Sequence, residues 1–258
     1  MKQALDIETL RQRIATQERL TPLRRPTVPM GAATIDAALP AHGLQTGAVH
    51  EVQPDTAGDF TAAAGFGACL LARLTQKRPG IVLWVTPGHG EAEHGALYPL
   101  GLAALGFDPA RLVLLHASKT VDILWALEEG LGHARLAAVF GILPETARGY
   151  DFAASRRLSM RAARLGVTAF ILRGRRDEGE STAAETRWSV AALPGDPAAD
   201  AAAPRWRLDL LKSWKGLPGR WDVEWDHETL SFRLPAPVVD RAPVWKTITP
   251  SSPWAQAS

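Results

Sequence analysis

The sequence predicts an α/β protein with a mainly parallel central sheet flanked by helices, an N-terminal helical arm and C-terminal antiparallel strands. Three observations carry this. From Gly31 onward, short apolar runs alternate with longer helical segments, the pattern of βαβ units feeding a parallel sheet. Past Arg176, apolar and polar residues alternate one by one, as in strands with one wet face. At 258 residues and 46% hydrophobic, the chain is also long enough to bury a full core.

Taken in order, residues 4–20 place Ile7, Leu10 and Ile14 at helical spacing among charged residues, so an amphipathic arm is expected, followed by a Pro-rich break from Thr21 to Pro29. Parallel strands are expected at Ala48–Val52, Ile81–Val85, Arg111–Leu115, Leu136–Phe140 and Val167–Leu172. The intervening helices fall at Phe60–Thr75, Ala96–Leu105, Val121–Ala134 and Ala153–Leu165. Thr186–Ala192, Arg205–Lys212, Arg220–Trp225 and Thr229–Arg233 read as a meander or pair of hairpins. The division is therefore 1–30 arm and linker, 31–176 α/β core, 177–235 β extension, and 236–258 a Pro-rich tail with few apolar anchors, expected to be mostly disordered.

Composition excludes several classes. No apolar run reaches the roughly 18 to 20 residues of a membrane span, and the N-terminus lacks a signal-peptide apolar region, so a cytoplasmic address and no membrane partner are expected. Cys69 is the one cysteine, which leaves no intramolecular disulfide and no thiolate cage. His89, Glu91, Glu93 and His94 crowd one Gly/His-rich loop, but without a partner cluster they read as a solvated loop, and no metal is assigned. Ser155 and Ser159 lack a nucleophile-elbow context. A net charge of +2 does not announce nucleic-acid binding. The arginines, however, are clustered: Arg156, Arg157, Arg161 and Arg164 share a helix, with Arg173, Arg175 and Arg176 just beyond. They form either a solvated face or a contact for phosphate or an acidic protein surface. Trp245 and Trp254, in the tail, are candidate partner anchors.

The run from Gly31 to Val52, with Ile35-Asp36, Leu39, Gly43-Leu44 and Gly47, resembles the opening of the RecA core, after which that family has its phosphate-binding loop. Continued without a gap, Gln53 to Thr61 falls on the loop. Such a loop needs glycines that aim backbone N–H groups at phosphate, a lysine, and a hydroxyl for Mg²⁺. Here Gln53 stands for the first glycine, Gly58 is retained, Asp59 replaces the lysine and Phe60 the hydroxyl residue. Asp59 has a structural use instead, complementing a helix start. The glutamate expected after the second strand is absent at Val85-Thr86-Pro87, and the strand from Leu136 ends in Gly141 where an aspartate belongs. No cofactor and no catalysis are expected.

The run from Leu97 to Leu112 and the helix from Trp125 to Leu131 continue the resemblance. Ala154 to Leu158, Ala162 to Arg173, and His50-Glu51-Val52 are phrases that resemble the ImuA family, and the likeness is strong from Gly31 to Arg176 and weak beyond. It implies a RecA-like accessory protein of SOS-induced translesion synthesis. The implied partners are ImuB, an inactive relative of Y-family polymerases, an error-prone replicative-type polymerase, and RecA itself, with any DNA contact expected to be indirect. A SulA-like division inhibitor and a RecA-type ATPase or recombinase are the alternatives.

Overall fold

The computed structural model describes residues 25–88, 95–144, 149–174, 181–195 and 203–235. The expected N-terminal arm and the tail that carries Trp245 and Trp254 lie outside these residues, as do His89 to His94, Arg175 and Arg176.

Eleven strands are described, β1 (Thr27–Val28), β2 (Leu44–Gln45), β3 (Val49–Pro54), β4 (Ile81–Pro87), β5 (Leu112–Ala117), β6 (Leu136–Ile142), β7 (Thr168–Leu172), β8 (Thr186–Leu193), β9 (Arg205–Ser213), β10 (Gly219–Asp226) and β11 (Ser231–Arg233). The helices are α1 (Ala33–Ala38), α2 (Phe60–Lys77), α3 (Pro99–Ala104), α4 (Thr120–Leu131) and α5 (Phe152–Leu165). Nine strands form one sheet in the order β11-β10-β9-β8-β3-β7-β6-β4-β5, and β1 pairs with β2 in a two-stranded ribbon. From β8 to β5 every neighbouring pair is parallel; β8-β9, β9-β10 and β10-β11 are antiparallel. The alternating C-terminal segments thus extend the same sheet rather than stacking on it. Strand β8 is the joint, matching His50 with Thr186 on one side and Leu208 with Val190 on the other.

Alternation of side chains sorts the residues to two faces. On one face, Val52, Phe140, Phe170 and Trp188 pack against α2, whose Phe66 lies 6.1 Å from Trp188 and 5.3 Å from Phe232 between ring centroids. Here the tryptophans of the meander find their use: Trp188, Trp206 and Trp225 are all buried, each contributing ~2 to 3 kcal/mol of apolar burial. Cys69 of α2 sits in this core, where burial pushes its thiol well up. On the other face, Val49, Val139, Ala169 and Ile171 pack beneath α4 and α5.

Helix α1 and the ribbon were not distinguishable in the sequence because two-residue strands and a six-residue helix have no measurable period. Asp36 of α1 accepts from the N–H groups of Met30 (2.6 Å) and Gly31 (3.1 Å), which fixes the entry turn. The segment expected as a helix over 96–105 is helical only from Pro99 to Ala104, since proline fixes its first turn and the chain turns at Gly106.

Candidate functional site

The segment after β3 that resembles a phosphate loop is folded as a single tight turn. Gln53 is the fifth residue of β3, buried beside Ser189 of β8. Ala57–Asp59 is a one-turn 3₁₀ helix that runs directly into α2. Thr56 caps it: the Asp59 carboxylate accepts from the Thr56 N–H at 3.1 Å and the Thr56 hydroxyl at 2.6 Å, while its other oxygen accepts from the Ala192 N–H at 2.8 Å. Asp59 thus bonds the turn and the end of β8, and gives no side-chain cap to α2 itself. Burial pushes the Asp59 carboxyl up, but those three bonds outweigh it and hold it below the usual carboxylate range.

These residues do not fit a magnesium triphosphate. The Asp55 N–H is taken by Val190 C=O and the Thr56 N–H by Asp59, so they are not aimed outward at an anion. A phosphate beside Asp59 would meet a like charge, with repulsion of about 4 kcal/mol at ~4 Å and an effective dielectric near 20. Gly58 has an ordinary backbone, and a Cβ there would meet only Thr56 Oγ1, at 3.7 Å, so nothing in the turn uses glycine's freedom. Phe60, in the place of the metal-binding hydroxyl, is buried in the core. At Gly141, where an aspartate would end β6, a Cβ would fall 2.5 Å from Leu127 Cδ1. Helix α4 therefore lies directly on the strand where an acidic side chain would have to project.

Behind the turn lies a buried charge cluster that the sequence did not single out. Glu51, fully buried on β3, accepts from Tyr150 Oη at 2.9 Å, from Arg187 Nε at 2.7 Å and from Arg173 Nη1 at 3.4 Å. The Arg173 guanidinium also lies over the Tyr150 ring, 5.6 Å from its centroid. Burial, then the Glu51 charge, pushes the Tyr150 phenol well up, so it stays a donor. Arg173 belongs to this cluster and not to an arginine surface. The cluster ties β3, β7, β8 and the approach to α5 together; with Glu51 inaccessible, it is structural. Its neighbour His50, also fully buried, points into the α2 face of the sheet in a defined relay: Trp188 Nε1–H donates to Thr186 Oγ1 at 3.0 Å, the Thr186 hydroxyl to His50 Nδ1 at 2.9 Å, and His50 Nε2–H to Gln45 C=O at 2.8 Å. The carbonyl can only accept, which sets the neutral tautomer. Burial lowers the His50 pKa to about 4.

The expected arginine face divides in two. Asp151 caps α5 by accepting from the Ala154 N–H at 2.8 Å, and left-handed Gly166 ends the helix. Arg157 and Arg161 turn to α4, where Arg157 Nε lies 3.0 Å from Glu128 and Arg161 lies 3.6 to 3.7 Å from Glu129 and Glu128. Arg164 shares the side of α5 that carries Arg157 and Arg161, with Arg156 beside them, and both Arg156 and Arg164 are exposed and, among the described residues, without an ion pair. Ser155 is buried, donating to Phe152 C=O and accepting from Ala183 N–H, and so fastens the start of α5 to the segment before β8.

The other accessible feature is the edge of the sheet. Strand β5 carries an apolar run, yet Val113 is 49% exposed and Leu114 and Leu115 are each 39% exposed. Among the described residues nothing pairs with its outer side. Its exposure escaped the sequence reading because an apolar run looks the same at the centre and at the margin of a sheet.

Among the described residues there is no group of three or more His, Cys, Asp or Glu able to hold a metal, and no helix is long and apolar enough to cross a membrane. No family model matches the chain. Protein ImuA of Caulobacter vibrioides, from strain NA1000 and from strain ATCC 19089, is in each case 31% identical over 232 residues, covering 83% of this chain and 91% of the relative. At that identity and extent of coverage, the chain belongs to the ImuA family.

Proposed function

We propose that this protein is a non-catalytic accessory factor of SOS-induced mutagenesis, a RecA-like shell that docks other proteins at sites of translesion synthesis. The observation that carries the reading is the closed turn at Asp59: the carboxylate and its three hydrogen bonds occupy the place where the resemblance to RecA would put a triphosphate. With Phe60 buried and Leu127 against Gly141, the loop and strand ends are spent on packing. What is left for function is surface. The open β5 edge supports this, since unpaired backbone flanked by exposed Val113 and Leu115 is a template for an added strand.

The partners we assign are an ImuB-like inactive Y-family polymerase, RecA, and through them an error-prone replicative-type polymerase, with DNA approached indirectly. Affinity capture from DNA-damaged cells tests the assignment: recovery of the ImuB-like protein or RecA is expected, and capture of neither counts against it. Titration with Mg²⁺ and ATP separates the enzymatic alternative. Micromolar binding at residues 53 to 61 would return the protein to the ATPases.

A further inference from the structure

The outer surfaces of α4 and α5 form a patch that no part of the docking reading uses. Along α4, Val121, Trp125 and Glu129 follow one another at four-residue spacing; Val121 is 65% and Trp125 66% exposed, and Asp122 is exposed beside them. Along α5, Phe152, Arg156, Met160 and Arg164 keep the same spacing, with Phe152 48% and Met160 59% exposed. Each row is an i, i+4 ridge, the element that interdigitates when two helices pack. One ridge is apolar and acidic. The other is apolar and basic.

We infer that this face binds a second copy of the chain, α4 of each copy against α5 of the other in an isologous pair. The argument is complementarity. Asp122 and Glu129 are about 10 Å apart along α4, and Arg156 and Arg164 about 12 Å apart along α5, so two carboxylates can face two guanidinium groups across one crossing. Trp125 and Met160 sit between those charges, and aromatic, Met and Arg side chains are what interface cores enrich. Nucleic acid fits less well: a phosphate chain laid over both helices would meet Asp122 and Glu129 as well as the arginines. Within one molecule α5 already reaches α4 through Arg157 to Glu128 and Arg161 to Glu128 and Glu129, so in the proposed pair Arg164 of the second copy joins Arg161 at the half-exposed Glu129 carboxylate. Two helices about 20 Å long and ~10 Å wide make a face at the small end of interface sizes, so association is expected in the micromolar range.

Sedimentation equilibrium of the full chain from 1 to 200 μM tests this. The expected mass rises from 27.8 kDa toward twice that value, and high salt shifts the rise to higher concentration. Arg156→Glu with Arg164→Glu, and separately Asp122→Lys with Glu129→Lys, should each stay monomeric, and an equimolar mixture of the two variants should regain the paired mass. That rescue excludes misfolding as the cause. A wild-type monomer at 200 μM overturns the inference, as does a pair whose mass ignores both reversals. So does an arginine reversal that abolishes retention of a single-stranded oligonucleotide while the mass never changes, for the ridge would then be a nucleic-acid contact. Docking along β5 is separate: Val113→Lys with Leu115→Lys should leave this association intact.

Discussion

The middle of the sheet and its β5 margin use their side chains in opposite ways. Around β3, β7 and β8 even the charged residues are sealed in, with Glu51 held by Tyr150, Arg173 and Arg187. At β5 even the apolar residues are left out, with Val113 half exposed. A charge is worth burying only if it fastens elements together, and an apolar strand is worth exposing only if something comes to cover it. The contrast sets a sealed charge cluster at the centre against an exposed apolar strand at the margin.

The largest test of that contrast is at the centre. Glu51→Ala strands the buried Arg173 and the largely buried Arg187 and is expected to lose about 3 to 5 kcal/mol in denaturant unfolding. The cross-strand pair Arg207–Asp222 on the exposed face of β9 and β10, with 44% and 42% exposure, is screened by solvent, so Arg207→Ala should cost far less than Glu51→Ala in the same measurement. Equal losses would dissolve the distinction. A smaller effect concerns His50. Its folded pKa of about 4 lies below the 6.5 of the unfolded chain, so the unfolded state takes up the proton first. Stability is therefore full above about pH 6.5 and is lost as pH falls toward 4, by ~2 kcal/mol between pH 7 and 5. Unfolding curves at those two pH values should show this slope, and His50→Gln should flatten it.

Next in size, Asp59→Ala removes the cap and the bond to Ala192, for about 1 kcal/mol by thermal melt, without conferring ATP binding in calorimetry. Nucleotide binding by that variant would mean that the carboxylate alone had been blocking a cradle otherwise intact. Smallest of all, Val113→Lys with Leu115→Lys should leave stability within about 0.5 kcal/mol while abolishing capture of the partner. If capture survives, the rim is not the docking edge.

Much of the architecture was legible in the residues. The runs at Ile81 and Leu136 became β4 and β6, and the one-by-one alternation from Arg205 to Trp225 became β9 and β10 with tryptophans inward. Periodicity reports which face of an element is apolar. It does not report what that face meets, so the exposure of Leu114 and the joining of β8 to β3 could not be read. The cluster at Glu51 was hidden for a related reason: its members come from positions 51, 150, 173 and 187, and no local pattern links them. The turn at Asp59 was the easier case, because its unusual residues are consecutive. Yet the Ala192 N–H that completes it is supplied from 133 positions away.

One small contact has a wider reach. The Phe232 N–H donates to Met30 C=O at 3.0 Å, and Arg73 of α2 clasps the carbonyls of Pro29 and Leu230 on either side of it. The described chain thus enters and leaves the body at one seam, and a cut in an intervening loop would yield two fragments still stitched together there. Removing the Arg73 guanidinium should then loosen both sides of that seam at once.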